Sequence, residues 1–328
     1  MLKYILKRIL ISIPVILGVI ILIFTITYFT PGDPAHVVLG QTAPDDMVAA
    51  WNAEQGLDKP FLVQLGMYLK NIITRFDFGI SYVTGESVKT LILERFPISL
   101  KLGLLSTLAA AILAIPLGIL AAVKQNSPYD YMSTLVALLG SSMPGFWLAL
   151  LLMILFSVKL SWLPAAGLGT WKHWILPIVC SIFFPITSMM RTTRSSVLEV
   201  IRQDYITTAR SKGQAEDKII KKHVLRNAMI PVVTVFGTSL SAGIGGSLIV
   251  ETVFTIPGLG LLLMDAINNR NYPIIRGTTI LYAVIVCLVN LLVDILYTFI
   301  DPRIKTQFFG NGKKKSAEED PAGEEATA

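Results

Sequence analysis

Long runs without a charged side chain alternate with short polar stretches along this chain. Ile9 to Phe29, Leu102 to Val123, Tyr131 to Val158, Trp174 to Met190 and Ala228 to Val250 hold no charged residue, and Gly277 to Ile300 holds only Asp294. Lipid hydrocarbon offers the backbone no hydrogen-bond partner, and crossing its roughly 30 Å takes about 20 apolar residues in helical form. The runs therefore predict six transmembrane helices, an all-α polytopic membrane protein. The third run is long and the fourth short, so their tilts must differ.

Composition agrees: 53% of the 328 residues are apolar and 15% are charged, beyond the needs of a soluble core. Lys3, Lys7 and Arg8 precede the first run as in a secretory signal, but 21 uncharged residues exceed the usual apolar core of about 7 to 15. An uncleaved first helix is expected. Eighteen of the 28 Lys and Arg residues fall on the segments that an even number of spans places on one side, which predicts cytoplasmic termini. Trp162, Trp171 and Trp174 then sit at the outer interface, where amphipathic rings are favoured. Cys180 and Cys287 lie in different predicted spans and read as small packing residues rather than a disulfide or metal pair. The net charge of +6 gathers on the cytoplasmic side and needs no nucleic-acid partner to explain it.

Four segments follow: an N-terminal helix over 1–30, an extracytoplasmic segment over 31–96, a core with the other five helices over 97–307, and a disordered cytoplasmic tail over 308–328. Pro31-Gly32-Asp33-Pro34 breaks the first helix. Beyond it, Phe61, Leu65, Tyr68, Leu69, Ile72, Ile73 and Phe76 recur at helical spacing, predicting an amphipathic helix that caps the other helices, lies on the membrane or touches a delivery protein. Gly237, Ser241 and Gly245 place small residues at i, i+4 and i+8, where helix backbones can approach. Pro144 and Pro185 predict kinks.

Within the loop 191–227, nine Lys and Arg face four Asp and Glu. Val197, Ile201, Tyr205 and Ala209 form an i, i+4 stripe that predicts an amphipathic cytoplasmic helix. Gly213 can close that helix in a left-handed cap, and Ile219, Ile220 and Val224 restart the pattern on the way to the fifth span. Helix, break and helix feeding a span make a lever.

Chemistry is sparse. Asp294 lies six residues, or about 9 Å of helix, from Ile300, within reach of an Arg or Lys partner. One such group does not make a proton relay, and a secondary transporter should show more. Neither H-E-x-x-H nor G-x-S-x-G occurs, which argues against a membrane protease, and the Gly312-Lys313 pair lacks the rest of a phosphate-binding loop. No catalytic or metal residue is expected, and a scaffold alone has no need of the lever.

These residues resemble the membrane subunits of dipeptide, oligopeptide and nickel ABC importers, in their first-permease branch. The likeness runs through Pro31-Gly32-Asp33-Pro34-Ala35, Phe78-Gly79-x-Ser81, Pro144-x-Phe146-Trp147, Trp162-Leu163-Pro164-x-x-Gly167 and Arg191-x-x-Arg194-Ser195-Ser196. It continues through Asp204-Tyr205-x-x-Thr208-Ala209-Arg210-Ser211-Lys212-Gly213, Arg226-Asn227-Ala228, Glu251-x-x-Phe254-x-x-Pro257-Gly258-Leu259-Gly260 and Asp301-Pro302-Arg303. The resemblance implies a type I importer permease in a bacterial inner membrane, not an enzyme, moving peptides by alternating access. It implies a second similar permease, an external solute-binding protein, and two separate ATPase subunits that hold ATP and Mg, with no cofactor in this chain. It places the ATPase-coupling loop at Tyr205, Thr208, Ala209, Arg210, Lys212, Gly213 and Arg226, with Ala209 and Gly213 small enough for a helix to seat in a partner's cleft. Thr207-Thr208 stand where the broad importer signature has Glu-Ala, and Asn271 stands where the family commonly has aspartate.

Overall fold

The computed structural model describes residues 2–245 and 247–300; the expected tail over 308–328 and the Asp301-Pro302-Arg303 motif lie outside them. Among the described residues the chain is helical, with one isolated bridge between Ile80 and Ser87.

Helix α1 (Leu2–Phe29) is the first apolar run, extended at its start. It stops at Pro31-Gly32, and short helices α2 (Pro34–Leu39) and α3 (Asp45–Glu54) follow, the first capped by the Asp33 side chain on Ala35 N. The amphipathic helix appears as α4 (Phe61–Arg75) and ends on Phe76 in the left-handed region. It caps α1: Phe61 and Tyr68 pack with tilted rings against Phe24, and Phe61 packs on Tyr28 and Phe29.

Helix α5 (Val88–Val123) runs 36 residues, about 54 Å, and so begins well ahead of the expected span and inside the segment read as extracytoplasmic loop. Lys89, Glu94 and Arg95 decorate that extra length. The third expected span is not one helix. It divides into α6 (Pro128–Ser142) and α7 (Gly145–Leu152), the latter continued by a π-helical stretch, Met153–Lys159. Pro144 causes the division, because it has no N–H to donate and pushes the preceding Met143 into extended backbone (φ −88°, ψ 133°). By length and composition, five helices among the described residues could cross a membrane, not six, while Gly145–Lys159 is a shorter apolar helix.

Helix α8 (Ile175–Ile201) continues the fourth span eleven residues past Met190. The loop helices α9 (Asp204–Ser211) and α10 (Glu216–Ile219) come next, then a π-helical turn, Ile220–Val224, which passes without a break into α11 (Leu225–Gly245). Helices α12 (Leu248–Val253), α13 (Leu259–Asn268) and α14 (Tyr272–Ile300) complete the described chain.

The core is the packing of α5 on α8, with α11 against both and α14 against α11 and α1. Small residues allow it. A Cβ at Gly118 on α5 would lie 2.6 Å from Thr193 Cβ and 2.7 Å from the Met190 carbonyl on α8. One at Gly237 would lie 2.0 Å from Val293 Cγ2, so the Gly237, Ser241 and Gly245 stripe is a seat for α14. Asp294 is paired as its position suggested, its Oδ2 lying 3.0 Å from Arg8 Nε, which pins α14 to the start of α1. Cys180 is buried and Cys287 half-buried, both as free thiols.

Because a backbone oxygen cannot move aside as a side chain can, Gly118→Val is expected to destabilise the α5–α8 contact by about 2 kcal/mol. A lower melting temperature in detergent, with membrane insertion retained, is the check.

Candidate functional site

The loop between α8 and α11 carries the predicted site. The stripe from Val197 to Ala209 is not one helix: α8 ends at Ile201, Arg202 closes it, and Gln203 is extended (φ −73°, ψ 147°) before α9 begins. The break turns the stripe. Val197 and Ile206 are fully buried with Ile219, Val224, Ala122 and Ala228, whereas Tyr205 is 44% exposed. Ala209 packs against that same cluster, so its small side chain seats α9 on the chain's own body.

At the end of α9, Gly213 takes φ +74°, and its N–H reaches the Arg210 carbonyl while Gln214 N–H reaches that of Ala209. This is the left-handed C-cap that the sequence predicts. No atom lies within 4 Å of a Cβ built there, so the constraint on residue 213 is backbone conformation rather than space. The turn is stapled from several sides. Arg210 pairs with Glu216 across it, His223 meets Gln214 at 3.0 Å, and Asn227 donates to the Tyr205 hydroxyl at 2.8 Å. Thr208 turns its hydroxyl back to the Asp204 carbonyl, and Thr208, Lys212 and Arg226 lie on the exposed surface. Tyr205, Thr208, Arg210, Lys212 and Arg226 are thus all exposed around this turn, and Ala209 is on its inner side.

Nearby, Asp130 in the first turn of α6 receives Arg194 Nε and Nη2 of α8 at 2.6 and 2.8 Å and the Asn126 N–H at 3.1 Å. The guanidinium's hydrogen bonds hold this carboxyl below the usual carboxylate range. Arg191 and Arg194 fall in one motif of the sequence, but only the structure gives Arg194 its partner.

Between α5, α8 and α11 lies a cavity of about 290 Å³, lined by Ser106, Thr107, Ser181, Ser239 and Ser247 with Cys180, Phe184 and Pro185. Hydroxyls and apolar groups face it without a charge. Phe184 is 72% exposed beside it, an aromatic ring in mid-helix.

A further centre was not legible as a site. Glu251 is fully buried, and four donors converge on its carboxylate: Ser99 Oγ at 2.6 Å, Ser247 Oγ at 2.5 Å, Gly260 N at 2.7 Å and Leu261 N at 3.3 Å. Ser99 Oγ in turn accepts Leu259 N at 2.8 Å. A Cβ at Gly258 would come within 2.4 Å of Glu251 Oε2, which explains the glycine of the Pro257-Gly258-Leu259-Gly260 turn. The carboxylate caps the start of α13 and ties it to α5 and α12. Asn271 plays a similar part, donating to Ser81 Oγ at 2.8 Å and accepting Tyr82 N at 3.2 Å. An aspartate there could accept but, ionised, could not donate to Ser81.

Substitutions at Glu251 and Asp130 probe these contacts. Glu251→Ala strands four donors and is expected to cost about 3 kcal/mol, seen as a fall in melting temperature; Glu251→Gln should recover part of it, since its amide oxygen can face the two backbone N–H groups and its NH₂ the two serine hydroxyls, which can accept. For Asp130 the folded carboxyl binds its proton less readily than the unfolded one, so the stabilisation is complete above the unfolded value near pH 4 and is lost as pH falls through the lower folded value. The stability gap between wild type and Asp130→Asn, about 1–2 kcal/mol and read as a difference in melting temperature, should be constant from pH 5 to 8 and close below pH 4.

Comparison with known proteins matches the sequence to one group. Residues 114–306 match the family described as binding-protein-dependent transport system inner membrane component, and residues 1–103 its N-terminal companion. The chain is 39% identical to the dipeptide transport system permease protein of Alkalihalophilus pseudofirmus, over 93% of its own length and 100% of that protein's. It is 43% identical to a putative peptide transport system permease protein of Brucella abortus (92% and 98%) and 42% identical to the glutathione transport system permease protein of Salmonella paratyphi A (93% and 99%). A chain of the inward-facing methionine ABC transporter MetNI superposes with a TM-score of 0.53, covering 65% of this chain and 97% of that one at 18% identity, a likeness of fold.

Proposed function

The chain belongs to the binding-protein-dependent transport system inner membrane component family, a multi-pass transport permease rather than an enzyme, and on that premise we propose that it forms half of the pathway of an ATP-driven peptide importer. A family of this kind works with ATPase and substrate-binding components. The finer reading is that two ATPase subunits, which hold ATP and Mg, dock on the exposed face around Lys212, and that a second similar permease covers Phe184 and closes the α5–α8–α11 cavity. Both termini lie in the cytoplasm of a bacterium and the chain sits in its inner membrane, a topology favoured by the Lys and Arg excess on the loop and at the N-terminus.

One observation carries this reading: the capped turn at Gly213 is joined to α11 by helix without interruption from Glu216 to Gly245. A push on the turn is delivered to a helix that lines the cavity, because Ser239, Ala242 and Gly243 of α11 face it. Closure of the ATPase pair moves the turn, the turn moves α11, and the cavity changes the side to which it opens. The substrate class is drawn from the relatives named for peptide, dipeptide and glutathione transport. The uncharged, hydroxyl-rich lining suits a solute that must pass rather than be held.

Gly213→Val forces a β-branched residue to positive φ, at a cost of about 1–2 kcal/mol at the joint. In reconstituted transporters, peptide uptake and substrate-stimulated ATP hydrolysis are expected to fall at least tenfold while the chain still inserts and co-purifies. Undiminished uptake by this variant contradicts the proposal.

A further inference from the structure

A second cavity, of about 170 Å³, lies away from the translocation path among α1, α4, α14 and the loops 55–57 and 78–82. It sits at the end of α14 remote from the coupling turn: Tyr282, in the first part of α14, packs with Ile244 at the close of α11, and Val293 further on meets Gly237. Arg276 forms one wall. The side chain is 7% exposed, its guanidinium carbon is 4.1 Å from the centre of the Phe24 ring and 5.6 Å from that of Tyr68, and Nε donates to Thr27 Oγ1 at 2.6 Å. Among the described residues, that is the one hydrogen bond the Arg276 side chain makes, and no ion pair includes it.

A guanidinium does not lose its proton in a protein, so a buried cation stands here with its Nη donors unused. The two aromatic faces offset part of its desolvation, but a buried charge ordinarily has an anion as partner. Tyr68 lines the same cavity, and its hydroxyl is buried without a hydrogen-bond partner among the described residues. Burial raises its pKa, keeping it a donor. Neighbouring groups are already engaged: the Gln64 amide nitrogen is shared between the Leu57 and Lys59 carbonyls, and Asp77 accepts the Gly79 N–H.

We propose that this cavity is an oxyanion site, in which Arg276 and Tyr68 together bind one phosphate or carboxylate group. A planar fork of N–H donors beside a hydroxyl suits two or three oxygens on one centre. The volume is below the roughly 300–1,000 Å³ of sites for whole drug-sized ligands, which fits a single charged group rather than a peptide. Such a group can come from a phospholipid head or from a free solute. Either would lock α1, α4 and α14 together at the end of α14 remote from the coupling turn, independently of the importer reading.

The test uses the purified transporter containing the full chain, in neutral detergent at fixed pH and ionic strength. Melting temperature is followed against phosphatidylglycerol, and separately against inorganic phosphate and acetate with chloride as the control. Stabilisation by the lipid alone assigns the site to a head group; stabilisation by the soluble anions assigns it to free solute. Tyr68→Phe keeps the ring and should weaken the apparent affinity about tenfold, and Arg276→Gln should abolish the response. No stabilisation of wild type by any of the three, or an equal response in Tyr68→Phe, overturns the proposal even if Arg276→Gln fails to fold.

Discussion

Hydrocarbon cannot accept or donate a hydrogen bond, and nearly everything in this molecule follows from that constraint. The chain meets it with long helices whose backbones satisfy themselves and by pairing several of its buried polar side chains inside the protein. Glu251 has four donors, Asn271 bonds in both directions, and Asp294 is matched by Arg8. Satisfied helices are stiff, and stiffness lets a displacement at one membrane face arrive at the other.

The lever needs a pivot as well as a beam. Helix α8 and the run from α10 to α11 bracket a short α9 that is clamped by Ile206 on the inside and by the Arg210–Glu216 pair on the outside. With the turn stapled in this way, movement of α9 alone is opposed by every contact around it. The soft coordinate left is motion of the turn with its helices as a body. Glu251 acts at the opposite end of the same beam, fixing α12 and α13 to α5, so that the end of α11 is held in a defined mouth.

Much of this architecture was legible in the sequence, because apolar length is a strong signal. The family, the apolar first helix, the amphipathic α4, the left-handed cap at Gly213 and the small-residue seat for α14 could all be read from local pattern. Other features could not. The third span was read as one helix although Pro144 already carried the signal for a break at Met143. Helix α5 started earlier than expected because Lys89, Glu94 and Arg95 make a helix end look like a loop. The stripe from Val197 to Ala209 hid a one-residue extended step at Gln203, since an i, i+4 pattern persists across a short break. The Ser99–Glu251 and Asn271–Ser81 bonds join residues 152 and 190 positions apart, and no local pattern reports such pairing.

The claim on which the account turns is that the exposed face of the Gly213 turn touches a separate ATP-hydrolysing subunit. Lys212 is exposed on that face and no assigned hydrogen bond or ion pair uses its side chain, so Lys212→Cys with a short bifunctional crosslinker in native membranes reads the contact directly. The account predicts one dominant adduct with the ATPase subunit, and a change in its yield when ATP is trapped. Absence of any such adduct while solute accumulation continues at the wild-type rate would contradict it.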